Sequence, residues 1–331
     1  MNFISLDPGG TKCEAVLCNE KAEILAYCNL APKDTEEIQK TAEIDPRTLK
    51  IGFGRSNAII TKALEKLLQY TDYNEQTYII TSSMQYEVKR VASSLSPNLQ
   101  ILEFMNEFSY ALCCELKDKA YMALAGTGAL CRCGTVDENK EIDGLGPNLG
   151  DQGGGAYIGL KAIKAVAKSE WHPDFTTSLA KRINNYFLDS DTNNMGKSLV
   201  PYFFESPQRT ILASLTKIVN EEAEKGDKIA TEILKNSGKA LAETFKCLVY
   251  QYKSPDKYNL PVICTGSILV HSDIYFNTFK NEIKKIMPDS DIKRISIPPC
   301  YGGIIQLAKS YSDTDINIYY QKLRENISNI K

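Results

Sequence analysis

The chain has little histidine, no bias of charge and no long apolar run, and each shortage removes a class of function. Two histidines in 331 residues, His172 and His271, leave few imidazoles for a metal site. Ten cysteines are present, but none are spaced C-x-x-C. Cys131 and Cys133 share a strand face without further Cys or His nearby, a poor zinc or iron–sulfur site. The thiols read as reduced, buried and inert. Lys plus Arg number 39 against 41 Asp plus Glu, a net charge of −2, so nothing draws nucleic acid or an acidic membrane as partner. No stretch approaches the roughly 18 apolar residues of a membrane helix. Met1 to Asp7 lacks the basic region of a signal peptide, and a cytoplasmic location is expected. At about 150 residues per domain, the length suggests two domains.

What is present is an alternation of strands and helices that occurs twice. Phe3 to Leu6 reads as a strand running into Asp7-Pro8-Gly9-Gly10-Thr11-Lys12. Cys13 to Cys18 and Glu23 to Tyr27 then read as a β-hairpin. Residues 32 to 50 look like an exposed loop. A polar turn, Gly52 to Asn57, opens a helix with an apolar stripe at Ile59, Ile60, Ala63, Leu64, Leu67 and Leu68. Strands over 77–81 and 100–104 follow, then Asn106-Glu107 and a further helix. The pattern restarts with Tyr121 to Leu124, which enters Ala125-Gly126-Thr127-Gly128 and returns over 129–134. The two turns lie about 116 residues apart, Thr11 to Thr127, which implies two halves of like architecture. Gly144 to Gly155 is a glycine-rich loop entering a helix, and 211–252 is helical. The chain ends in a helical pattern over Ile316, Tyr320, Leu323, Ile327 and Ile330, capped by Asp313 or Asp315. The class is α/β with two sheets.

A glycine turn at a strand end lets backbone N–H groups approach an anion, and a Thr hydroxyl adds a donor. Asp7, just before the first turn, is a hard oxygen ligand suited to Mg²⁺ through water. A tight hairpin turn in which Asp7 is only a cap fits the same residues. Gly226-Asp227, Gly266-Ser267 and Gly302-Gly303 are further glycine sites fit for nucleotide contacts. None matches a Walker P-loop. Glu107 and Asp151 are candidates for the reacting centre, since each precedes a helix whose dipole favours the ionised carboxylate; each could equally be a helix cap. Gly52 to Asn57 suits a sugar as well as a helix start.

Taken in order, these motifs resemble the N-acetylglucosamine kinase branch of the BadF/BadG-type ATPases, within the actin-like sugar-kinase superfamily. The likeness is carried by Asp7 to Leu17, Gly126-Thr127-Gly128 and Gly144-Leu-Gly-Pro-Asn-Leu-Gly-Asp-Gln-Gly153. Glu222 to Asp227, Leu260 to Ser267 and Pro299 to Gly303 complete it, across nearly the whole chain. It implies a two-domain actin-like ATPase of duplicated ribonuclease H-like halves, with a nucleotide and sugar cleft between them. The expected domains are 1–118, with the helix 313–331 packed back on it, and 119–312. It implies an ATP- and Mg²⁺-dependent kinase acting on the 6-hydroxyl of an amino sugar: N-acetylglucosamine, glucosamine or N-acetylmuramic acid. Carried over by position, Glu107 stands where the family has its catalytic Asp, and Asp7 holds Mg²⁺ through water. Gly9, Gly10, Thr11, Lys12, Gly126, Thr127, Gly128, Gly226, Gly266, Ser267 and Gly302 fall on the ATP side. Asn57, Ala58, Glu107, Gly144, Leu145, Gly146 and Asp151 fall on the sugar side. The small-molecule partner is the sugar, and a homodimer is left open. Three residues depart from the family's pattern: Glu107 for Asp, Leu145 for an aromatic, and Gln152 for Glu. Other members of the family act on protein partners, and a nucleotide binder without turnover is a third reading.

Overall fold

The computed structural model describes residues 1–9, 12–30, 53–72, 75–96, 98–101, 105–187 and 209–329. The chain divides into two compact units, Met1–Asp118 with Ile295–Lys331, and Lys119–Arg294. The expected boundary at 312 therefore differs from the structure, which places the segment from Ile295 onward in the first unit.

In the first unit, β1 (Asn2–Pro8), β2 (Cys13–Asn19) and β3 (Ile24–Leu30) form an antiparallel meander with a bulge between Leu17 and Cys18. Helix α1 (Phe53–Leu68) leads to β4 (Thr77–Thr81), α2 (Gln85–Leu95), β5 (Leu99–Ile101) and α3 (Glu107–Cys114). The sheet order is β3-β2-β1-β4-β5, and β4 joins β1 in parallel. Alternation along β1 feeds two cores, because successive side chains leave a strand on opposite faces. Ile4 and Leu6 pack with Ile60, Leu64 and Leu67 of α1 and with Val88 of α2. Phe3 packs on the other face with Tyr110 of α3 and with α10 (Cys300–Tyr311) and α11 (Ile316–Asn329), through Ile304 and Tyr319. Ser5 on that face donates to the Tyr110 hydroxyl at 3.0 Å. Helix α11 is started by Asp315, which accepts from the Asn317 amide at 2.9 Å. It returns to the hairpin, where Tyr319 donates to the Asn19 carbonyl at 3.0 Å and Asn326 to that of Ala22 at 2.8 Å.

The second unit repeats the scheme. Strands β6 (Ala120–Ala125), β7 (Ala129–Gly134) and β8 (Asn139–Asp143) are the meander; β9 (Val262–Thr265) and β10 (Ile292–Arg294) are the parallel additions. The order β10-β9-β6-β7-β8 is the first sheet's order with each strand advanced by five. Between them run α4 (Gly155–Trp171), α5 (Leu179–Phe187), α6 (Arg209–Glu224), α7 (Lys228–Gln251), α8 (Ser267–His271) and α9 (Asp273–Lys284). Tyr121, Cys131 and Cys264 meet Ile158, Leu215, Phe245 and Phe279 in one core. Nine of the ten thiols are buried, Cys247 being the exposed one.

Two local expectations are corrected. The polar turn read over Gly52 to Asn57 is helical from Phe53 onward. The strand read over 100–104 is Leu99–Ile101, and 102–104 lie outside the described residues.

Candidate active site

The carboxyl end of a parallel strand pair is where α/β sheets gather ligand-binding groups. In the first unit that place holds Asp7, near the end of β1. The Ser82 hydroxyl donates to Asp7 Oδ1, and Ser83 Oγ donates to the Pro8 carbonyl at 2.5 Å. The Ser82 amide reaches the Leu6 carbonyl at 3.0 Å. The Thr81-Ser82-Ser83 run after β4 thus ties down the end of β1. Burial pushes the Asp7 carboxyl up to about 6, against the Ser82 bond that favours its ionised form. The Glu14 and Glu107 charges add to the rise and the Lys12 charge opposes it.

The turn itself is closed by Gly9, whose amide donates to the Lys12 carbonyl at 2.7 Å. Gly10 and Thr11 lie outside the described residues. Lys12 turns its ammonium to Glu14 Oε1 at 3.1 Å, where Tyr27 and Asn29 also donate. Glu107 is the first residue of α3, and the cap expected of it belongs to Asn106. That side chain accepts the Ser109 amide at 2.9 Å. Ala58 is half-buried in α1; the Asn57 side chain is outside the described residues.

In the second unit the Gly126-Thr127-Gly128 turn stands between β6 and β7, at the position of the first unit's turn. The Gly155 and Ala156 amides of α4 donate to the Gly126 and Thr127 carbonyls at 2.8 and 3.0 Å. The start of α4 is therefore spent on holding the turn. Gly154 is compelled to be glycine there, because a Cβ would sit 2.6 Å from the Gly128 carbonyl carbon. Gly266, at φ 88°, closes on the same corner: its Cβ would lie 2.4 Å from the Ala125 oxygen, and exposed Ser267 follows it.

Asp151 is buried in the glycine-rich loop at φ 55°. Its Oδ1 accepts the Ala129 amide at 3.4 Å, and its Oδ2 faces Arg209 Nη2 at 2.7 Å. Asp143, at the end of β8, accepts the Asp151 amide at 2.6 Å and the Gln152 amide at 3.0 Å. Gly144 and Gly146 both adopt positive φ, and Leu145 between them is 66% exposed. The loop is fixed by the two carboxylates and offers an aliphatic side chain at its surface.

Two expected site glycines also have local structural settings. Gly302 is buried in α10, and a Cβ on it would lie 2.3 Å from the Tyr110 carbonyl oxygen; helix packing inside the first unit is enough to explain its glycine. Gly226 is exposed at the α6–α7 connection, with open space where a Cβ would stand. Its neighbour Asp227 caps α7 and accepts from Thr177 at 2.8 Å. Ser82, Ser83, Asn106, Asp143 and Arg209 are the polar groups that sequence reasoning missed.

Comparison with a solved ROK-family glucokinase of Streptomyces griseus, in complex with glucose and AMPPNP, gives a TM-score of 0.57 at 14% identity. It covers 94% of this chain and 99% of that one. The two proteins share a fold. No protein-family model matches the chain. The N-acetylmuramic acid/N-acetylglucosamine kinase of Clostridium acetobutylicum is 27% identical over 208 residues, 60% of this chain and 63% of that protein. The match thus spans less than two thirds of that relative's length. The N-acetyl-D-glucosamine kinase of Dictyostelium discoideum is 22% identical over 321 residues, 92% of this chain and 96% of that protein. The likeness read from the motifs agrees with both names. Among the described residues no helix is long and apolar enough to cross a membrane.

Proposed function

We propose that the protein transfers the terminal phosphoryl group of ATP to a hydroxyl of an amino sugar, N-acetylglucosamine or N-acetylmuramic acid. The observation that carries this reading is the repeat. The glycine-containing connections from β1 to β2 and from β6 to β7 stand at equivalent places in two sheets with one topology. The names of both relatives support the substrate class.

The donor set suits a polyphosphate. Among the described residues no acceptor faces the Thr127 and Gly128 amides, and the Thr127 hydroxyl stands beside them. Thr11, Gly9, Gly10 and Lys12 are assigned to the phosphates from the first turn, and Gly266, Ser267 and Gly226 to the nucleoside side. Asp7 suits Mg²⁺: its carboxylate is a hard oxygen donor oriented by Ser82. The metal, when bound, would neutralise phosphate charge.

Glu107 is assigned as the group that accepts the proton of the attacking hydroxyl, the usual task of a carboxylate in phosphoryl transfer to an alcohol. Asn57, Ala58, Gly144, Leu145, Gly146 and Asp151 are assigned to the sugar. Asp151 acts there by fixing its loop, since its Oδ1 accepts the Ala129 amide and its Oδ2, which has no hydrogen-bond partner among the described residues, faces the Arg209 guanidinium. Leu145 offers the sugar an aliphatic contact, where an aromatic ring would offer a face.

The test is the product. Incubation with Mg-ATP and N-acetylglucosamine or N-acetylmuramic acid, followed by phosphorus NMR, is expected to show a phosphomonoester coupled to the 6-methylene protons. Release of inorganic phosphate alone, with every sugar unchanged, would overturn the reading.

A further inference from the structure

Arg209 is the first residue of α6, and its guanidinium lies against the Gly126–Gly128 turn. A Cβ built on Gly128 would fall 2.1 Å from Arg209 Nη2 and 2.5 Å from Asp151 Oδ2. Gly128 has no positive φ among those recorded, so its glycine is not required by backbone conformation. The Arg209 and Asp151 side chains fill the space that a Cβ would take.

A structural account of this pair is available. Asp151 is 1% exposed, and a buried carboxylate needs a countercharge. That account stops short of two facts. Arg209 is 44% exposed, and a guanidinium carries five N–H donors in a fixed fork, of which one nitrogen is turned to Asp151. That nitrogen, Nη2, is also the one beside Gly128, in a turn where the Thr127 and Gly128 amides meet no acceptor among the described residues. Two backbone donors and a tethered cation therefore share one turn, a set that matches a phosphate oxygen cluster.

We propose that Arg209 is a catalytic residue that binds the β- or γ-phosphate of the nucleotide at the Gly126–Gly128 turn, with Asp151 as the positioning residue that holds its fork. The inference rests on the kinase reading. Arg209 contributes a fixed positive charge where negative charge gathers on the transferring group, which is the form of stabilisation that needs no reorganisation during the step. The ion pair orients the guanidinium, and the packing against Gly128 brings it to the turn.

The experiment compares the full chain with Arg209→Lys and with the double variant Arg209→Gln/Asp151→Asn, which leaves no uncompensated buried charge. Binding of Mg-AMPPNP and of AMP is measured by calorimetry, without sugar, alongside melting temperature. Arg209→Lys and the double variant are expected to weaken AMPPNP about tenfold or more, while AMP binding stays within about twofold, as for loss of one charge-assisted contact. Wild-type AMPPNP affinity in both variants, or an equal loss for AMPPNP and AMP, would overturn the assignment while leaving the kinase reading intact. A wild-type chain that binds no AMPPNP would overturn both.

Discussion

The Asp143 carboxylate accepts the Asp151 amide at 2.6 Å and the Gln152 amide at 3.0 Å, so one edge-strand residue fixes the loop that carries the buried acid. Gly150 completes the arrangement, because a Cβ there would come within 2.0 Å of Asp143 Oδ1. Asp143→Ala removes both bonds. The sugar KM is expected to rise about tenfold, the equivalent of one hydrogen bond to a charged group, with the ATP KM little changed. Steady-state kinetics with each substrate varied in turn checks it, and equal rises in both constants would count against a sugar-side loop.

Glu107→Gln keeps the shape of the side chain and removes its capacity to accept a proton. A fall in kcat of about 100-fold or more is expected, with nucleotide affinity little changed. Full activity in this variant would remove Glu107 from the chemistry.

Asp7 gives a pH signature. Its carboxyl is raised from the usual 3.8 to about 6 by burial, so the folded state holds this proton more tightly than the unfolded chain. The stability it contributes is present while the group is protonated and is lost as pH rises from about 4 through about 6. Without metal or nucleotide, Asp7→Asn is therefore expected to match the wild type near pH 4 and to melt higher at pH 7.5. Identical melting curves of the two proteins across that range would contradict the burial of this charge.

Gly302→Ala separates packing from ligand binding. The added methyl would meet the Tyr110 carbonyl at 2.3 Å, and a loss of about 1–3 kcal/mol of stability is expected from such overpacking. Chemical denaturation checks it. At temperatures where the variant stays folded, ATP affinity is expected to be unchanged; a selective loss of ATP binding with stability intact would return Gly302 to the nucleotide site.

The repeat was legible because both meanders begin with an apolar strand and a glycine turn, and both first strands are buried. The third strand of the second sheet was not: Asn139-Lys-Glu-Ile-Asp143 is polar, lies at the edge of its sheet and is largely exposed, so it carries no apolar alternation. Strand β10 has three residues, too few for a period. The helix start at Phe53 was hidden by Gly52-Phe-Gly-Arg-Ser-Asn57, whose composition reads as a turn.

Glu107 and Asp151 stood out in the sequence as acids before helices. Their partners did not, since Arg209 and Asp151, or Ser82 and Asp7, are brought together by the fold and not by spacing. Gly302 shows that a glycine needed for close helix packing and one needed for phosphate approach look alike in a sequence. The Thr81-Ser82-Ser83 run at the end of a strand parallel to β1 was the available signal for a second polar layer beside Asp7.

The central claim is tested most directly by ADP release from Mg-ATP, measured with N-acetylglucosamine, N-acetylmuramic acid, glucosamine, N-acetylmannosamine, glucose and no sugar. The account predicts turnover well above the blank with N-acetylglucosamine or N-acetylmuramic acid. Equal ADP release in every well, the blank included, would contradict it.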